Sequence, residues 1–204
     1  GKAVAPLLTT QWNQHDPYNI YLEWNAPTGC VATAVAQVMK YFNYPAKGNG
    51  IIETFWGATL DLSQSVYDWN NMKDRYNLGE YNDAESSAVA LLMRDVGYAL
   101  DTQYGTDASG AHQHSIAPVL YKHFNYSKDI QLLKRECYAS QEWIDIIREN
   151  LLAGQPILYG AAESSGHEFV CDGIDENDYL HINWGWSGYC DGYFDVNALS
   201  PANL

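Results

Sequence analysis

The sequence predicts an α+β fold with two lobes, a helical first lobe and a second lobe built on an antiparallel β-sheet. Before Pro156 the apolar side chains recur with a helical period of about 3.6, and after it they alternate with a period of about 2. The 204 residues, 47% of them hydrophobic, suffice for one full core. We therefore expect a single domain over 1–204, mainly helical and loop-rich over about 1–110 and carrying the sheet over 111–204.

The first helix is predicted to begin almost at Cys30. Thr28 is a candidate N-cap, and Pro45 ends the run because proline disfavours the α conformation in the residue before it. A helix N-terminus carries roughly half a positive charge and unpaired N–H groups, which favour a thiolate over a thiol. The apolar positions at helical spacing are Val31, Val35, Val38 and Phe42.

Three further helices and four strands are predicted downstream. The second helix begins at Asp83 as N-cap, the third runs over about 115–124, and the fourth begins at Ser140 as N-cap and stops at Gly154. The strands are predicted over 157–161, 168–174, 179–184 and 192–196, with a hairpin turn over 175–178. Helices followed by strands are the order expected of an α+β fold.

Charge and composition exclude several classes of partner. Eleven basic and 25 acidic residues give a formal net charge of −14, which repels nucleic acid and anionic lipid. No apolar stretch approaches the roughly 18 residues of a membrane span, and the N-terminal segment has no signal-peptide core, as expected of a processed chain. We expect no cofactor and no metal.

The four cysteines are too few and too scattered for a disulfide-stapled scaffold. Cys171 and Cys190 fall on or near neighbouring predicted strands, so both a disulfide and two free thiols remain open there. Cys30 stands apart because of its place at a helix start.

Four polar side chains form a catalytic hypothesis with Cys30 as nucleophile. His167 follows a run of small residues at a strand start, and Asn183 lies within a strand, where an amide needs a partner. Gln14 offers amide N–H donors for an oxyanion. The intervals from Cys30 to His167 and Asn183 match the separation of about 130–150 residues in papain-like enzymes. There a thiolate attacks a carbonyl, an imidazolium protonates the leaving amine, and an amide orients the imidazole.

Sequence blocks around these four residues extend the pattern. They are Trp12-Asn13-Gln14 with Pro17-Tyr18-Asn19, Thr28-Gly29-Cys30-Val31-Ala32-Thr33-Ala34 with Ala36-Gln37, Gly166-His167-Glu168-Phe169-Val170 with Asp172-Gly173, and His181-Ile182-Asn183-Trp184-Gly185-Trp186 running to Asp191-Gly192-Tyr193-Phe194. With these blocks, over residues 12–196, the sequence resembles the streptopain family of papain-fold cysteine peptidases.

The resemblance implies a papain-like two-lobed fold and a role for each residue. It implies that Cys30 is the nucleophile, His167 the general acid/base, Gln14 an oxyanion donor and Asn183 the residue that orients the imidazole, with Trp184 shielding that hydrogen bond. It further implies a secreted bacterial endopeptidase made as a zymogen, whose N-terminal propeptide, outside this chain, is the inhibitor before maturation. Protein and peptide substrates are the implied partners.

The substrate cleft is expected between the lobes. Candidate rim segments are the loop over 104–114 and the segment over 161–165, because small-residue loops on a rigid scaffold commonly supply binding contacts. Small alanines there leave room for an apolar substrate side chain. The candidate substrate-binding residues are Gly29, Ala162, Ser165, Gly166 and Trp186. Glu168 departs from the family, which usually has a small residue beside the histidine.

Two other functions remain open. The same Cys30 and His167 also suit a papain-fold acyltransferase or amidohydrolase, in which an amine replaces water. A non-catalytic metal-binding or adhesion module is the alternative outside enzymes. It rests on a weak signal, since a pair of loop histidines without two further spaced ligands seldom binds metal. Its candidate ligands are His112, His114, His123, His181 and the additional cysteines.

Overall fold

A computed structural model describes residues 1–160 and 167–199 of the chain. The predicted α+β class is confirmed: helices dominate the first part, and an antiparallel sheet forms the second. The helices are α1 (Cys30–Phe42), α2 (Asp83–Ala99), α3 (Ile116–His123) and α4 (Ser140–Leu152). The strands are β1 (Ile51–Glu53), β2 (Thr59–Asp61), β3 (Ile157–Gly160), β4 (Glu168–Ile174), β5 (Leu180–Asn183) and β6 (Gly192–Phe194).

Helix α1 begins at the predicted residue but with a different cap. Gly29 occupies the N-cap position with φ of 89°, and no side chain caps the helix. The Thr28 hydroxyl lies 2.8 Å from the Thr33 hydroxyl instead. The predicted N-cap at Thr28 is therefore wrong, because the left-handed turn at Gly29 starts the helix one residue later. From Val31 to Met39 the whole helix is buried.

The caps of α2 and α4, in contrast, lie one residue before those predicted. Asn82 accepts a hydrogen bond from the Glu85 N–H at 2.9 Å, and the Glu85 carboxylate accepts one from the Asn82 N–H at 2.9 Å. This reciprocal pair is a capping box, which satisfies two donors that the helix leaves open. At α4 the N-cap position is Ala139, whose N–H donates to the Glu142 carboxylate at 3.0 Å.

The main sheet has the strand order β3-β4-β5-β6, and every neighbouring pair is antiparallel. Strand β4 is fully buried along its length. Gly160, the last residue of β3, pairs with Glu168, which directly follows His167. The small β1–β2 sheet falls in a stretch predicted to be loop, because strands of three residues are too short to show a period.

Two hydrophobic clusters form the core. The first joins α1, α2 and α3, and the second joins α4 to the main sheet. Helix α3 packs in the first cluster through Ile116, Val119 and Leu120, so this core extends beyond the division predicted near residue 110. A small third cluster lies between α1 and β4 and connects the two; it contains Leu8, Ala34, Val38 and Val170.

All four cysteines are free thiols. Cys171 is buried in β4, Cys190 is half-buried and Cys137 is exposed. Of the two alternatives left open for Cys171 and Cys190, the structure therefore has two free thiols and no disulfide between them. Within residues 1–160 and 167–199, no helix has both the length and the apolar character needed to cross a membrane.

Candidate active site

An open cavity of about 480 Å³ lies where the two lobes meet, and both Cys30 and His167 line it. Its walls come from the segment before α1, the start of α1, the loop over 107–109 and the turn after β5. The other lining residues are Asn13, Gln14, His15, Pro27, Asp107, Ala108, Ser109, Trp186 and Ser187. The cavity therefore combines the predicted nucleophile and base with part of the rim loop predicted over 104–114.

Cys30 is the first residue of α1 and is half-buried. Its Sγ accepts a hydrogen bond from the Glu168 N–H at 3.4 Å. Burial raises the pKa of the Cys30 thiol, and the N–H groups of Glu168, Cys30 and Val31 act in the opposite direction. Glu168 adds a further upward contribution to that pKa through its charge. The helix start thus supports the thiolate against the cost of desolvation.

His167 lies at the entrance to β4, and its Nε2 is 3.2 Å from the Trp184 carbonyl oxygen. A carbonyl oxygen only accepts hydrogen bonds, so Nε2 must carry a proton. In the neutral ring this leaves the lone pair on Nδ1, which is then the basic nitrogen. Burial lowers the pKa of His167, while the Trp184 carbonyl raises it by stabilising the imidazolium.

Two tryptophan rings stack beside the imidazole. The Trp186 ring centroid is 4.9 Å from that of His167 with an interplanar angle of 27°, and the Trp184 centroid is 6.1 Å away at 22°. Trp184 is 2% exposed, and its indole N–H donates to the Cys190 carbonyl at 3.0 Å. The Trp184 ring thus lies beside the imidazole, and the Trp184 main-chain carbonyl makes a contact with His167 that the sequence did not predict.

Asn183 does not occupy the predicted position beside the imidazole. Its Nδ2 donates to the Thr10 carbonyl at 2.9 Å, and its Oδ1 accepts from the Gly185 N–H at 3.0 Å. The predicted direct contact between Asn183 and His167 is therefore wrong. The Asn183 side chain is buried on the far side of the 184–185 turn, and a main-chain carbonyl holds the ring in its place.

Gln14 joins the segment before α1 to the helix start. Its Oε1 accepts from the Gly29 N–H at 3.0 Å, and its main-chain carbonyl accepts from the Thr28 N–H at 3.0 Å. With Oε1 fixed in this way, the two hydrogens on Nε2 are left for another acceptor in the cavity. This orientation is the one that an oxyanion donor beside Cys30 requires.

Glu168 is the unusual residue of the site. It is 4% exposed, and among the described residues its Oε2 has no hydrogen-bond partner. Burial raises the pKa of Glu168 to about 8, while a hydrogen bond from Gln113 lowers it in part. The side chain is therefore largely a neutral carboxylic acid at pH 7.

The substrate-binding predictions divide into three groups. Trp186 lines the cavity, whereas Gly29 is buried and supports Gln14 through its N–H. Ala162, Ser165 and Gly166, with the rest of the rim segment predicted over 161–165, lie outside the described residues. Sequence reasoning missed the cavity positions Asn13, His15 and Ser187. Of these, Asn13 had a detectable signal, since it adjoins Gln14 in a matched block.

The histidines of the alternative metal module are engaged separately. His112 and His114 stack on each other at 5.1 Å, His123 Nδ1 lies 2.9 Å from the Asn49 carbonyl, and His181 Nδ1 lies 2.6 Å from an Asp172 carboxylate oxygen. In the ranges that the structure covers, no group of three or more His, Cys, Asp or Glu residues could hold a metal ion.

Known proteins are similar in sequence to this chain over nearly its full length. The Peptidase C10 family matches residues 12–194. Streptopain from Streptococcus pyogenes is 33% identical over 229 residues, which cover 100% of this chain and 57% of that protein. The thiol protease/hemagglutinin PrtT of Porphyromonas gingivalis is 31% identical over 222 residues, covering 99% of this chain and 26% of PrtT. The chain thus spans little more than half the length of the streptopains that it matches.

Solved structures resemble the fold closely. The active interpain A cysteine protease of Prevotella intermedia superposes with a TM-score of 0.92 at 38% identity, covering 99% of this chain and 89% of that one. A prointerpain A fragment from the same organism gives a TM-score of 0.89 at 39% identity, covering 98% and 68%. The resemblance to streptopain and the two-lobed fold it implied are confirmed. The chain belongs to the Peptidase C10 family.

Proposed function

We propose that this protein is a cysteine endopeptidase that hydrolyses peptide bonds through a covalent acyl-enzyme. One observation carries the proposal: Cys30 at a helix start and His167, with Nδ1 as its basic nitrogen, line the same cavity. Family membership supports the peptidase class, and the geometry supports these two residues as its reacting groups.

The reaction begins with transfer of the Cys30 thiol proton to His167 Nδ1. The thiolate adds to the scissile carbonyl carbon and gives a tetrahedral oxyanion. When this collapses, the C–N bond breaks, the imidazolium returns its proton to the leaving amine, and a thioester remains on Cys30. A water molecule, deprotonated by the neutral imidazole, then adds to the thioester and releases the carboxylic acid and the free thiol.

The oxyanion is stabilised by two N–H donors. The Cys30 N–H is at the first position of α1, where the helix offers no internal acceptor. The Gln14 amide stands beside it, with Nε2 left available by the contact between Oε1 and Gly29. Donors placed in this way act where charge develops in the transition state, and losing one typically costs about 10²–10³ in rate.

The charge state of the Cys30–His167 pair is a balance. Burial raises the Cys30 pKa and lowers that of His167, and both shifts favour the neutral thiol and imidazole. The N–H groups at the helix start and the Trp184 carbonyl favour the ion pair of thiolate and imidazolium. Attraction between the thiolate and the imidazolium also favours the ion pair. We therefore propose that Cys30 and His167 form the ion pair when a substrate binds.

The propeptide and the secretion of this protein are proposed by analogy with its relatives. A propeptide that precedes the mature domain and blocks the cleft is proposed here on the precedent of prointerpain A. The bacterial relatives support secretion from a bacterium. The net charge of −14 supports protein and peptide substrates over nucleic acid or membrane surfaces.

Cys30→Ala tests the nucleophile. We expect it to abolish casein hydrolysis and iodoacetamide labelling of the active-site peptide, both followed by mass spectrometry. Cys137→Ala, at an exposed free thiol, is the matched control and should retain both. A Cys30→Ala protein that cleaves casein at the wild-type rate contradicts the proposal. Products bearing an added primary amine would identify an acyltransferase instead.

A further inference from the structure

The peptide group between Trp184 and Gly185 is hydrogen-bonded at both ends. Its carbonyl oxygen lies 3.2 Å from His167 Nε2, and its N–H donates to Asn183 Oδ1 at 3.0 Å. The imidazole and the Asn183 amide therefore contact opposite ends of one planar unit. Because the unit is rigid, fixing its N–H fixes the direction of its carbonyl.

Asn183 is itself held by a second carboxamide, that of Gln37. Gln37 Nε2 donates to Asn183 Oδ1 at 3.2 Å, and Asn183 Nδ2 lies 3.3 Å from Gln37 Oε1 and 2.9 Å from the Thr10 carbonyl. Gln37 is 0% exposed and Asn183 is 4% exposed. Two buried amides in mutual contact leave little freedom to either side chain.

The orientation of the Gln37 amide is fixed independently. Its Oε1 accepts from the Thr10 hydroxyl at 2.9 Å and from the Trp12 N–H at 3.2 Å. Since a main-chain N–H only donates, the atom that faces Trp12 must be the oxygen, and Nε2 must face Asn183. Gln37 lies on α1 two turns after Cys30, so the helix that presents the thiol also anchors this network.

We propose that Gln37 and Asn183 are positioning residues that orient His167 through the Trp184–Gly185 peptide group. They hold the carbonyl in line with Nε2 and, by accepting the Gly185 N–H, make that carbonyl a stronger acceptor, because linked hydrogen bonds polarise one another. This inference rests on the proposed function, in which His167 is the general acid/base.

The polarised carbonyl favours the imidazolium. The imidazolium keeps its Nε2 proton and gains charge, so a stronger acceptor stabilises it more than the neutral ring. Weakening the network should therefore lower the pH at which His167 loses its second proton. The alkaline limb of kcat/KM reports that loss in the free enzyme, so it should move to lower pH.

Other titratable groups around His167 stay unchanged in this test. They are Cys30 on α1, Glu168 on β4, Asp191, whose carboxylate accepts from the Trp184 N–H at 3.0 Å, and His15 and Asp107 at the cavity. Substitutions at Asn183 and Gln37 replace none of these groups. A shift of the alkaline limb of kcat/KM in such variants therefore reports on the carboxamide network.

The decisive experiment measures kcat and KM against pH for Asn183→Ala and Gln37→Met. We expect kcat to fall about 10- to 100-fold, as a misdirected catalytic group does, with KM little changed and the alkaline limb of kcat/KM displaced to lower pH. Asn183→Asp keeps an acceptor for the Gly185 N–H. It should therefore recover part of kcat relative to Asn183→Ala, most fully at acidic pH where a protonated Asp donates to the Thr10 carbonyl.

Asp95→Ala is the control for lost stability. Asp95 is a fully buried acceptor for the Tyr67 hydroxyl in the first cluster, with no contact to this network. It should lower the unfolding midpoint and leave the alkaline limb in place. The inference is overturned if Asn183→Ala and Gln37→Met leave the alkaline limb of kcat/KM in place and lose activity only in proportion to the fraction of protein that is unfolded.

If Asn183→Ala does not fold, the pH profile of Gln37→Met is the test. Failure of the proposed function itself is read separately from Cys30→Ala.

Discussion

Glu168 affects the candidate nucleophile in two ways. Its main-chain N–H supports the Cys30 sulfur, and its charge raises the pKa of that thiol. The two effects oppose each other within one residue. Since burial raises the Glu168 pKa to about 8, the unfavourable effect is small at neutral pH and grows above it.

Glu168→Gln should change how stability depends on pH. The unfolded chain ionises this carboxyl near pH 4.3, whereas the folded chain keeps it protonated up to about pH 8. Stability therefore falls as pH rises through this window. We expect urea unfolding to give similar free energies for wild type and variant near pH 4, and a variant more stable by an amount on the order of 5 kcal/mol at pH 9.

The control for this titration is Glu53→Gln, at an exposed position of β1. Its stability curve should follow that of the wild type at every pH. Parallel curves for Glu168→Gln and the wild type would show that the carboxyl ionises as freely in the folded protein as in the unfolded chain.

At the scale of the elements, the start of α1 depends on Gly29. Its φ of 89° is left-handed, and a Cβ there would lie 3.0 Å from the Ser109 carbonyl oxygen. The Gly29 N–H also fixes the Gln14 amide. The turn thus sets both where the helix begins and how the amide of Gln14, the proposed second oxyanion donor, is oriented.

Gly29→Ala should lower both stability and kcat. A left-handed alanine costs about 1–3 kcal/mol, and the contact with Ser109 displaces the turn that holds Gln14. Gly79→Ala is a matched control, since φ is 81° there and a Cβ would meet nothing within 4 Å. It should lose stability alone, measured by thermal unfolding beside steady-state kinetics. Equal kcat values for the two variants would contradict a contribution of the Gly29 turn to catalysis.

Helix caps and helix faces differ in how well the sequence predicts them. The apolar period located all four helices, but the predicted caps fell one residue late at Asp83 and Ser140 and one residue early at Thr28. Asn82 and Asp83 are both acceptable cap residues, and the observed positions Gly29 and Ala139 have no capping side chain, so cap preference does not identify the observed helix starts. A glutamine on the buried face of α1 was a signal for Gln37, because a buried amide needs partners.

The side-chain chemistry of the site was predictable and its hydrogen-bond directions were not. Cys30, His167 and Gln14 lie in distinct sequence blocks, and the structure brings them together at one cavity. The contact of His167 with the Trp184 carbonyl uses the main chain, which every residue type has, so it leaves no trace in the sequence. Asn183 was consequently given a contact that it does not make.

For the whole molecule, we expect the contact between the two cores to determine how Cys30 and His167 are aligned. Cys30 belongs to a helix of the first cluster and His167 adjoins a strand of the second. Val170, two residues into β4 and fully buried, packs with Ala34 and Val38 of α1 in the third cluster. This contact joins α1 to β4, the two elements that carry or adjoin Cys30 and His167.

Val170→Ala should therefore reduce activity beyond its effect on stability. Removing the buried methyl groups should cost about 1–3 kcal/mol and let α1 shift against β4. Val89→Ala in α2 removes the same atoms from an equally buried site within the first cluster. Both should show similar urea midpoints, and only Val170→Ala should show a large fall in kcat. Matching kcat values for the two variants would mean that the contact of Val170 with α1 does not align Cys30 with His167.

Holding the imidazole by a main-chain oxygen has an evolutionary consequence. Any residue at position 184 supplies that oxygen, so the orienting function survives replacement of the tryptophan side chain, whereas the amides at positions 37 and 183 must fit each other. Among homologues we expect positions 37 and 183 to vary as a pair. Variation at 184 should instead follow the need for an aromatic wall.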